Sequence, residues 1–405
     1  MPHRLYLDHA ATTPVRAEVR EAMLPYLGED AFGNPSSAHA VGRAARAGVE
    51  RAREQVAAAL GAESKQVFFT SGGTEADNLA ILGAVQAAIA KTGAGLARRD
   101  DGVVHLVTSP TEHHAVTAAV HEAERRGAFA TFLPVDLNGT VDLAALDQAL
   151  AGRGPAGRPA LVSVMWVNNE VGTIQPVPGI AQRCAAAGVA YHIDAVQALG
   201  KIPVNLAALP WTAVSVSAHK IGGPKGVGAL VVRDPSRFTP ILRGGSQQQG
   251  LRPGTENVPG IVGFGLAAQL AAREQAGSAA AWTAMRDGLE RAILERVPDA
   301  VVHASGAARA PNILNVSAPG TDSESVLMHL DLAGIAAASG SACTTGSVEP
   351  SHVLLAMGVP PVLAAAGVRF SFGPLSSADQ VPHVAETYAK VVAKVRELRR
   401  VLARA

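Results

Sequence analysis

Short apolar runs alternate with longer amphipathic segments from about residue 42 to residue 235. Apolar runs of about four to eight residues between turn residues are typical of buried strands, whereas an apolar residue at every third or fourth position is typical of a helix. The pattern predicts strands at 66–70, 105–109, 160–167, 189–195, 214–217 and 228–233, and helices at 41–60, 72–90, 115–126 and 179–187. It therefore predicts an α/β fold with a parallel sheet covered by helices on both faces.

The pattern changes after about residue 260, where long Ala-rich helices flank shorter strands. The predicted helices are 261–297 and 385–403, and the predicted strands are 312–317 and 367–373. We expect a large domain over residues 15–260. A smaller α+β domain is expected to combine residues 1–14 with residues 261–405, because the first residues complete it.

Three local features accompany this organisation. Ser36 or Ser37 is a plausible start signal for the helix at 41–60. Segments 91–102 and 151–158 are rich in Gly, Arg and Asp and are predicted to be surface loops.

Composition narrows the class of protein. The chain has 405 residues, 48% of them hydrophobic, and a formal net charge of +1, so neither nucleic acid nor an anionic membrane is an expected partner. It has two cysteines far apart in sequence, which favours a reducing compartment over a disulfide framework. The N-terminus has no signal-peptide pattern, and no apolar run is long enough to cross a bilayer. We expect a cytoplasmic protein.

The segment SAHKIGGPKG, residues 217–226, places Lys220 between a predicted strand and a glycine-rich turn. A lysine in an apolar setting can lose its proton through desolvation and form a Schiff base. An ordinary solvated lysine is the alternative for this residue taken alone.

The segment HIDAVQ places His192 and Asp194 on one face of a strand, with Gln197 just beyond its end. A buried carboxylate requires a positive partner, and the pyridinium nitrogen of pyridoxal phosphate would supply one. A metal site that combines this pair with His113 and His114 is the alternative, although no ligand-spaced motif supports it.

Three further segments follow predicted strands. TSGGTEADN, residues 70–78, offers the amides of a helix N-terminus and the Thr74 hydroxyl to a phosphate, although an ordinary capped turn has the same pattern. TEHHAV, residues 111–116, offers an imidazole that could lie against an aromatic ring. Asn169 in VNNEVG has an amide that could bind a ring hydroxyl or a substrate carboxylate.

Together these segments carry a resemblance that covers nearly the whole chain. It resembles the cysteine desulfurases, pyridoxal-phosphate enzymes with the class V aminotransferase fold, and specifically the nitrogen-fixation and iron–sulfur-cluster type with a long SGSAC loop. The motifs are YLDHAATTPV, FGNPSS, FTSGGTEADNLAI, TEHHAV, VSVMWVNNEVGTIQP, HIDAVQALGK, HKIGGPKGVGAL, RPGTENVPGIVG, SGSACTTGSVEPSHVL and RFSFG. The resemblance implies fold type I, with a mainly parallel seven-stranded sheet between helices and a smaller α+β domain.

The resemblance also implies roles for individual residues. Lys220 matches the lysine that forms the Schiff base with the cofactor, and Asp194 matches the partner of the pyridine nitrogen. Gln197 matches the residue that binds the phenolic oxygen. His113 matches the imidazole stacked on the ring, and we expect it to take part in catalysis with Lys220.

Phosphate and substrate ligands follow from the same match. The implied phosphate ligands are Gly73, Thr74, Ser217 and His219. Thr255 in RPGTEN matches a phosphate-binding threonine supplied by the other subunit, which implies a homodimer. Asn169 and Arg369 match ligands of the substrate carboxylate, and a guanidinium suits that role because it can donate two parallel hydrogen bonds.

Cys343 lies in ASGSACTTGSVEP, residues 338–350, among small and polar neighbours that would not bury it. The resemblance implies that its thiolate takes sulfur from L-cysteine, giving L-alanine and a persulfide. That sulfur would pass to an acceptor protein, either a cluster scaffold or another carrier. Cys184 in AQRCAAAG is predicted to be an inert packing residue.

Three alternatives stay open from the sequence. A selenocysteine lyase would perform parallel chemistry, and an aminotransferase on the same fold would use the Lys220 machinery without a loop cysteine. A non-catalytic persulfide carrier would have no use for the lysine, aspartate, glutamine and phosphate set.

Overall fold

The computed structural model describes residues 4–92, 98–99, 102–152, 157–340 and 349–402. In chain order, its strands are β1 Leu5–Tyr6, β2 Val67–Thr70, β3 Arg98–Arg99, β4 Gly102–Val103, β5 His105–Thr108, β6 Phe129–Phe132, β7 Leu161–Ser163, β8 Ala190–Asp194, β9 Ala213–Ser217, β10 Gly228–Val232, β11 Val301–Val302, β12 Ile313–Ser317, β13 Ile335–Ala336 and β14 Gly367–Ser371. Its α-helices are α1 Ala17–Met23, α2 Ala40–Leu60, α3 Gly73–Thr92, α4 His114–Arg125, α5 Leu143–Leu150, α6 Val177–Ala187, α7 Val258–Arg296, α8 Ser323–Leu332, α9 His352–Ala356, α10 Pro361–Ala364 and α11 Val381–Leu402.

The central sheet has seven strands in the order β2-β10-β9-β8-β7-β5-β6. Strands β5 to β9 pair in parallel, and β10 is antiparallel to both β9 and β2. The predicted mainly parallel seven-stranded sheet is therefore confirmed.

Both faces of this sheet are covered, which explains its continuous apolar strands. Successive side chains of a strand point to opposite faces. Phe69 packs in the large cluster, which we define as the apolar side chains shared by α2, α6, the first half of α7 and one face of the sheet. Its neighbour Phe68 packs against α3 on the other face. In β2 and β10 the apolar residues therefore do not alternate with polar ones, because neither face meets water.

A second assembly lies in the C-terminal part of the chain. Strands β11, β12 and β14 form an antiparallel sheet, and the short β1 pairs in parallel with β13. Its C-terminal cluster contains Leu7 and apolar side chains between residues 285 and 395. The smaller α+β unit is thus present, while the exact division into residues 15–260 and the remainder stays a prediction.

Helix α7 belongs to both assemblies. Phe264 in its first half is buried in the large cluster, and Leu289 in its second half is buried in the C-terminal cluster. One continuous helix of 39 residues therefore connects the two.

The start of α2 differs from the prediction. The helix begins at Ala40, and the side chain of His39 accepts a hydrogen bond from the Gly42 amide at 3.2 Å. The assignment of Ser36 or Ser37 as the start is wrong, because both lie in the preceding turn, where the Ser37 amide donates to the Asn34 carbonyl.

Two other boundaries also differ. Strand β7 ends at Ser163 although its apolar run continues, yet the Val164 and Trp166 amides still donate to carbonyls of β8. Beyond Ser163 the chain therefore keeps backbone hydrogen bonds to β8, on one side only. Within the predicted loop 91–102, β3 pairs with β4, and residues 93–97, 100–101 and 153–156 lie outside the described residues.

No helix in the described ranges combines the length and the apolar composition needed to cross a bilayer.

Two glycines of α7 give matched tests of its packing. A Cβ on Gly265 would lie 2.5 Å from the Ala52 Cα of α2, whereas a Cβ on Gly277 would meet nothing within 4 Å. We expect Gly265→Ala to lower the free energy of unfolding by about 1–3 kcal/mol through overpacking. Gly277→Ala should raise it by about 0.5–1 kcal/mol, because alanine loses less backbone entropy in a helix. Thermal unfolding at equal protein concentration measures both, and shifts of the same sign would contradict this account of the α2–α7 contact.

Candidate active site

The carboxyl ends of the parallel strands meet at one edge of the sheet and open into a cavity of about 470 Å³. Ligands of open α/β sheets bind outside this edge because the turns after the strands converge there. Of the predicted site residues that the structure describes, all except Thr255 line the cavity, namely Gly73, Thr74, His113, Asn169, Asp194, Gln197, Ser217, His219, Lys220 and Arg369.

Lys220 ends the short turn after β9, and its Nζ points towards the N-terminal segment. It donates hydrogen bonds to the carbonyl oxygens of Ala10 and Ala11, both at 2.7 Å. Burial lowers the pKa of Lys220 to about 8, and the positive charge of Arg369 acts in the same direction. A neutral amine is therefore accessible near neutral pH, as a Schiff-base lysine or a base requires.

Asp194 is the last residue of β8, and its Oδ1 accepts a hydrogen bond from the Val196 amide at 2.9 Å. Burial raises the pKa of Asp194 to about 6, while the Val196 amide and the charge of Lys220 oppose the rise. A cationic group bound in the cavity would favour the ionised carboxylate.

His113 precedes α4 and caps its first turn, because its Nδ1 accepts a hydrogen bond from the Ala115 amide at 3.1 Å. Burial lowers the pKa of His113 to about 4, and the charges of Lys220, His114 and His352 add to the effect. With Nδ1 as the acceptor, the neutral ring carries its proton on Nε2. Of the two histidines in TEHHAV, only His113 lines the cavity.

Among the residues that line the cavity, Ser217 and Gln197 each have a buried polar atom, Oγ and Oε1 respectively, with no hydrogen-bond partner in the described part of the chain. The other end of the Gln197 amide is fixed, since Nε2 donates to the Ala10 carbonyl at 2.8 Å. Unpaired buried polar atoms are rare, and a bound ligand is one explanation for them. The N-terminus of α3, with Gly73 and Thr74, offers amides to an anionic group in the same cavity.

Arg369 in β14 is fixed by two partners. Its Nη2 donates to Asp8 Oδ1 at 2.7 Å, and its Nη1 donates to the Asn169 carbonyl at 2.8 Å. The side chain is buried, and its Nε has no partner in the described part of the chain. Sequence reasoning missed Asp8, although its motif YLDHAATTPV was recognised.

Two other residues were missed. Asp77 on α3 lines the cavity and is buried. Burial raises its pKa, and the charge of Asp194 adds to the rise. Lys201 is also buried, and its Nζ donates to the Lys220 carbonyl at 2.6 Å. Asp77 in the segment TEAD and Lys201 in the segment ALGK are both visible in the sequence, but neither segment has a pattern that indicates burial.

The metal-site alternative receives no geometric support. His192 is fully buried, with Nδ1 2.8 Å from Ser163 Oγ and Nε2 2.8 Å from Ser215 Oγ. Across the described ranges, no group of three or more His, Cys, Asp or Glu side chains is placed to hold a metal ion.

The remaining predicted residues fall elsewhere. Thr255 is exposed and does not line the cavity of its own chain. Cys343 lies outside the described residues. Cys184 is buried in α6, and burial raises the pKa of its thiol to about 12, as expected of an unreactive packing residue.

Known proteins with similar sequences cover nearly the whole chain. The cysteine desulfurase IscS of Dictyoglomus turgidum (strain DSM 6724 / Z-1310) is 42% identical over 398 residues, which are 98% of this chain and 97% of that protein. The cysteine desulfurase of Cereibacter sphaeroides is 44% identical over 397 residues, with 98% and 97% coverage.

Solved structures agree with the sequence comparison. A NifS-like protein superposes with a TM-score of 0.86 at 33% identity, covering 96% of this chain and 100% of its own. A structure described as SspA in complex with cysteine has a TM-score of 0.75 at 31% identity, covering 91% and 99%. The sequence profile of the aminotransferase class-V family matches residues 5–384. The chain therefore belongs to the aminotransferase class-V family, and its relatives there include cysteine desulfurases.

Proposed function

We propose that this chain is a pyridoxal-phosphate-dependent cysteine desulfurase, which converts L-cysteine to L-alanine and leaves the sulfur as a persulfide on Cys343. One observation carries the proposal: the Lys220 amine, with its lowered pKa of about 8, lies in the same cavity as Asp194 and Arg369. A base, a carboxylate and a guanidinium are thus available to one bound amino acid. The relatives described as cysteine desulfurases support the choice of substrate.

The cavity residues fit pyridoxal phosphate. The unpaired Ser217 Oγ and the N-terminus of α3, with Gly73 and Thr74, suit its phosphate, and His219 lines the same cavity. The free Oε1 of the Gln197 amide is an acceptor, so it suits the ring hydroxyl where that oxygen carries its proton and donates.

Two more residues suit the ring itself. Asp194 suits the ring nitrogen, and the His113 imidazole suits the ring face. When bound, the cofactor supplies an electron sink for the carbanion left by removal of the substrate Cα proton.

The chain's own residues would then divide the work. Arg369, held by Asp8, would bind the substrate carboxylate together with Asn169. The neutral Lys220 amine would take the proton from the substrate Cα and later return a proton to carbon. His113, neutral with its proton on Nε2, would cover the site and exchange protons.

Cys343 would complete the reaction as a thiolate. Its sulfur attacks the substrate sulfur, so that an S–S bond forms while the Cβ–S bond breaks and its electron pair returns to the substrate carbon. Protonation of that carbon gives L-alanine. An acceptor protein would then remove the outer sulfur of the persulfide, for iron–sulfur cluster assembly or another sulfur-containing product. The scarcity of cysteines supports a cytoplasmic location for this thiol chemistry.

The first prediction tests the function itself. Incubated with L-cysteine and a reductant, the protein should form alanine and sulfide in equal amounts. Cys343→Ser should bind the cofactor yet lose sulfide formation, while Lys220→Ala should lose both the Schiff-base absorbance and turnover. Cys184→Ser is the matched control, because that thiol is buried and its replacement should leave alanine and sulfide formation unchanged. Sulfide formation at the wild-type rate by Cys343→Ser would contradict the proposed role of the thiol.

The same incubation separates the alternatives. An aminotransferase would convert a keto acid without needing Cys343, and a selenocysteine lyase would prefer selenocysteine to cysteine. A non-catalytic carrier would form no alanine.

The second prediction concerns Lys220 and pH. Only the neutral amine attacks an aldehyde, and the neutral fraction rises as pH increases through the pKa of about 8. The rate at which the cofactor-free protein takes up pyridoxal phosphate, followed by absorbance, should therefore rise through that pH and then level off. Arg369→Met removes a positive charge that lowers the pKa of Lys220, so its profile should move to higher pH. Identical profiles would show that Arg369 does not influence the amine.

The third prediction tests the homodimer and the role proposed for Thr255. If Thr255 serves the partner's cavity, a mixed dimer of Lys220→Ala and Thr255→Ala subunits contains one intact site and one doubly altered site. Mixing two impaired variants should restore about half the wild-type activity per mixed dimer. If Thr255 served its own chain, each site would carry one substitution and mixing would restore nothing. Size-exclusion chromatography measures the oligomeric state independently.

A further inference from the structure

Glu170 is a buried carboxylate that the reaction described above does not use. It follows Asn169 in the segment after β7, and its residue is 2% exposed. A buried carboxylate is costly unless its oxygens receive hydrogen bonds or face positive charge. The groups that contact the Glu170 carboxylate therefore indicate its role.

The Glu170 carboxylate contacts both flanks of residues 341–348. On one flank, Ser351 Oγ donates to Glu170 Oε2 at 2.5 Å. The same Ser351 Oγ accepts the Leu354 amide at 3.2 Å and so caps α9. On the other flank, Gly340 lies against the carboxylate so closely that a Cβ there would be 1.8 Å from Oε2. One oxygen atom thus touches the residues on both sides of the segment that carries Cys343.

The backbone around Glu170 is hydrogen-bonded to neighbouring side chains, among them Arg369, which is proposed to bind the substrate. Its amide donates to Asn168 Oδ1 at 2.9 Å, and its carbonyl accepts from Asn315 Nδ2 at 3.2 Å. The preceding carbonyl, that of Asn169, accepts from Arg369 Nη1 at 2.8 Å. The carboxylate therefore has a fixed position relative to the guanidinium proposed to bind the substrate.

We propose that Glu170 is a positioning residue that fixes the flanks Gly340 and Ser351 relative to Arg369, and thereby sets where the Cys343 thiol meets the substrate sulfur. A carboxylate suits this role because charge-assisted hydrogen bonds are stronger and more directional than apolar contacts. The inference rests on the proposed function, because it requires sulfur transfer to Cys343.

The test removes the contact from either side. Glu170→Ala deletes the carboxylate, and Gly340→Ala places a methyl group where the carboxylate lies. In the holoenzyme, both should lower the rate of persulfide formation on Cys343 by on the order of tenfold, since small misplacements of reacting groups have effects of this size or larger. Single-turnover mixing with L-cysteine and mass spectrometry of Cys343 measure that rate. Glu170→Gln keeps an acceptor for Ser351 and should recover part of the loss.

Two readouts separate positioning from general damage. Cofactor content and the affinity for L-alanine, measured by calorimetry, should stay within about twofold of wild type, because a lost positioning contact affects the chemical step and spares uniform binding. Gly277→Ala, which meets nothing within 4 Å, is the control for a glycine substitution and should transfer sulfur normally. The double variant should be no slower than Glu170→Ala alone, because without the carboxylate the new methyl group has nothing to displace.

Several results would overturn the proposal. These are wild-type persulfide formation in Glu170→Ala, losses that simply multiply in the double variant, or a loss of L-alanine affinity as large as the loss of rate. Failure of the proposed function is distinct from these, because it would appear as absence of persulfide in the wild-type protein itself.

Discussion

The desolvated amine of Lys220 is the constraint on which the rest of the site depends. Its two acceptors are the carbonyl oxygens of Ala10 and Ala11, which are neutral and so only partly replace water around an ammonium group. The N-terminal segment must therefore lie against the turn after β9. Thr13 fixes it there, because its hydroxyl donates to the His219 carbonyl at 2.8 Å. The His9 amide joins the same segment to β14 by donating to the Ser371 carbonyl at 3.3 Å.

A chain of polar side chains crosses the sheet beside the cavity. Ser163 and His192 are partners in the register of β7 and β8, and Ser215 lies on β9 next to Asp194. His192 lies between the two serines, and Asp77 Oδ1 is 3.6 Å from its Nε2. Burial lowers the pKa of His192 to about 3, so the imidazole is neutral. Two buried carboxyl groups in one cavity disfavour ionising together, and a neutral Asp77 leaves the negative charge to Asp194.

The sequence was informative where one local pattern decides the outcome. Strands β8, β9 and β10 are buried along their whole length, so each has enough apolar residues to be recognised, and the site residues lie at strand ends in recognisable motifs. Strand β6 was not predicted because it lies at the sheet edge, where Phe129 is exposed. The pairing of β1 with β13 involves two residues on each side and has no local signature.

Some features could not have been read from local patterns at all. The contact of Asp8 with Arg369 joins residues 361 positions apart, and the burial of Lys201 behind Lys220 is equally a product of tertiary packing. The predicted start of α2 failed for a related reason. A histidine can cap a helix through its ring nitrogen, and residue preferences alone favour serine.

Helix α7 has a mechanical consequence. Its 39 residues extend about 58 Å at 1.5 Å per residue, and its two ends are buried in different clusters. Any hinge rotation of the C-terminal sheet against the central sheet must bend this rod or break its intrahelical hydrogen bonds. The distance between Arg369 on one assembly and Lys220 on the other is therefore set by the stiffness of a helix as well as by side-chain contacts. The substrate's carboxylate and its reacting carbon would therefore bind to two groups held at a fixed separation, rather than to two assemblies that close around them.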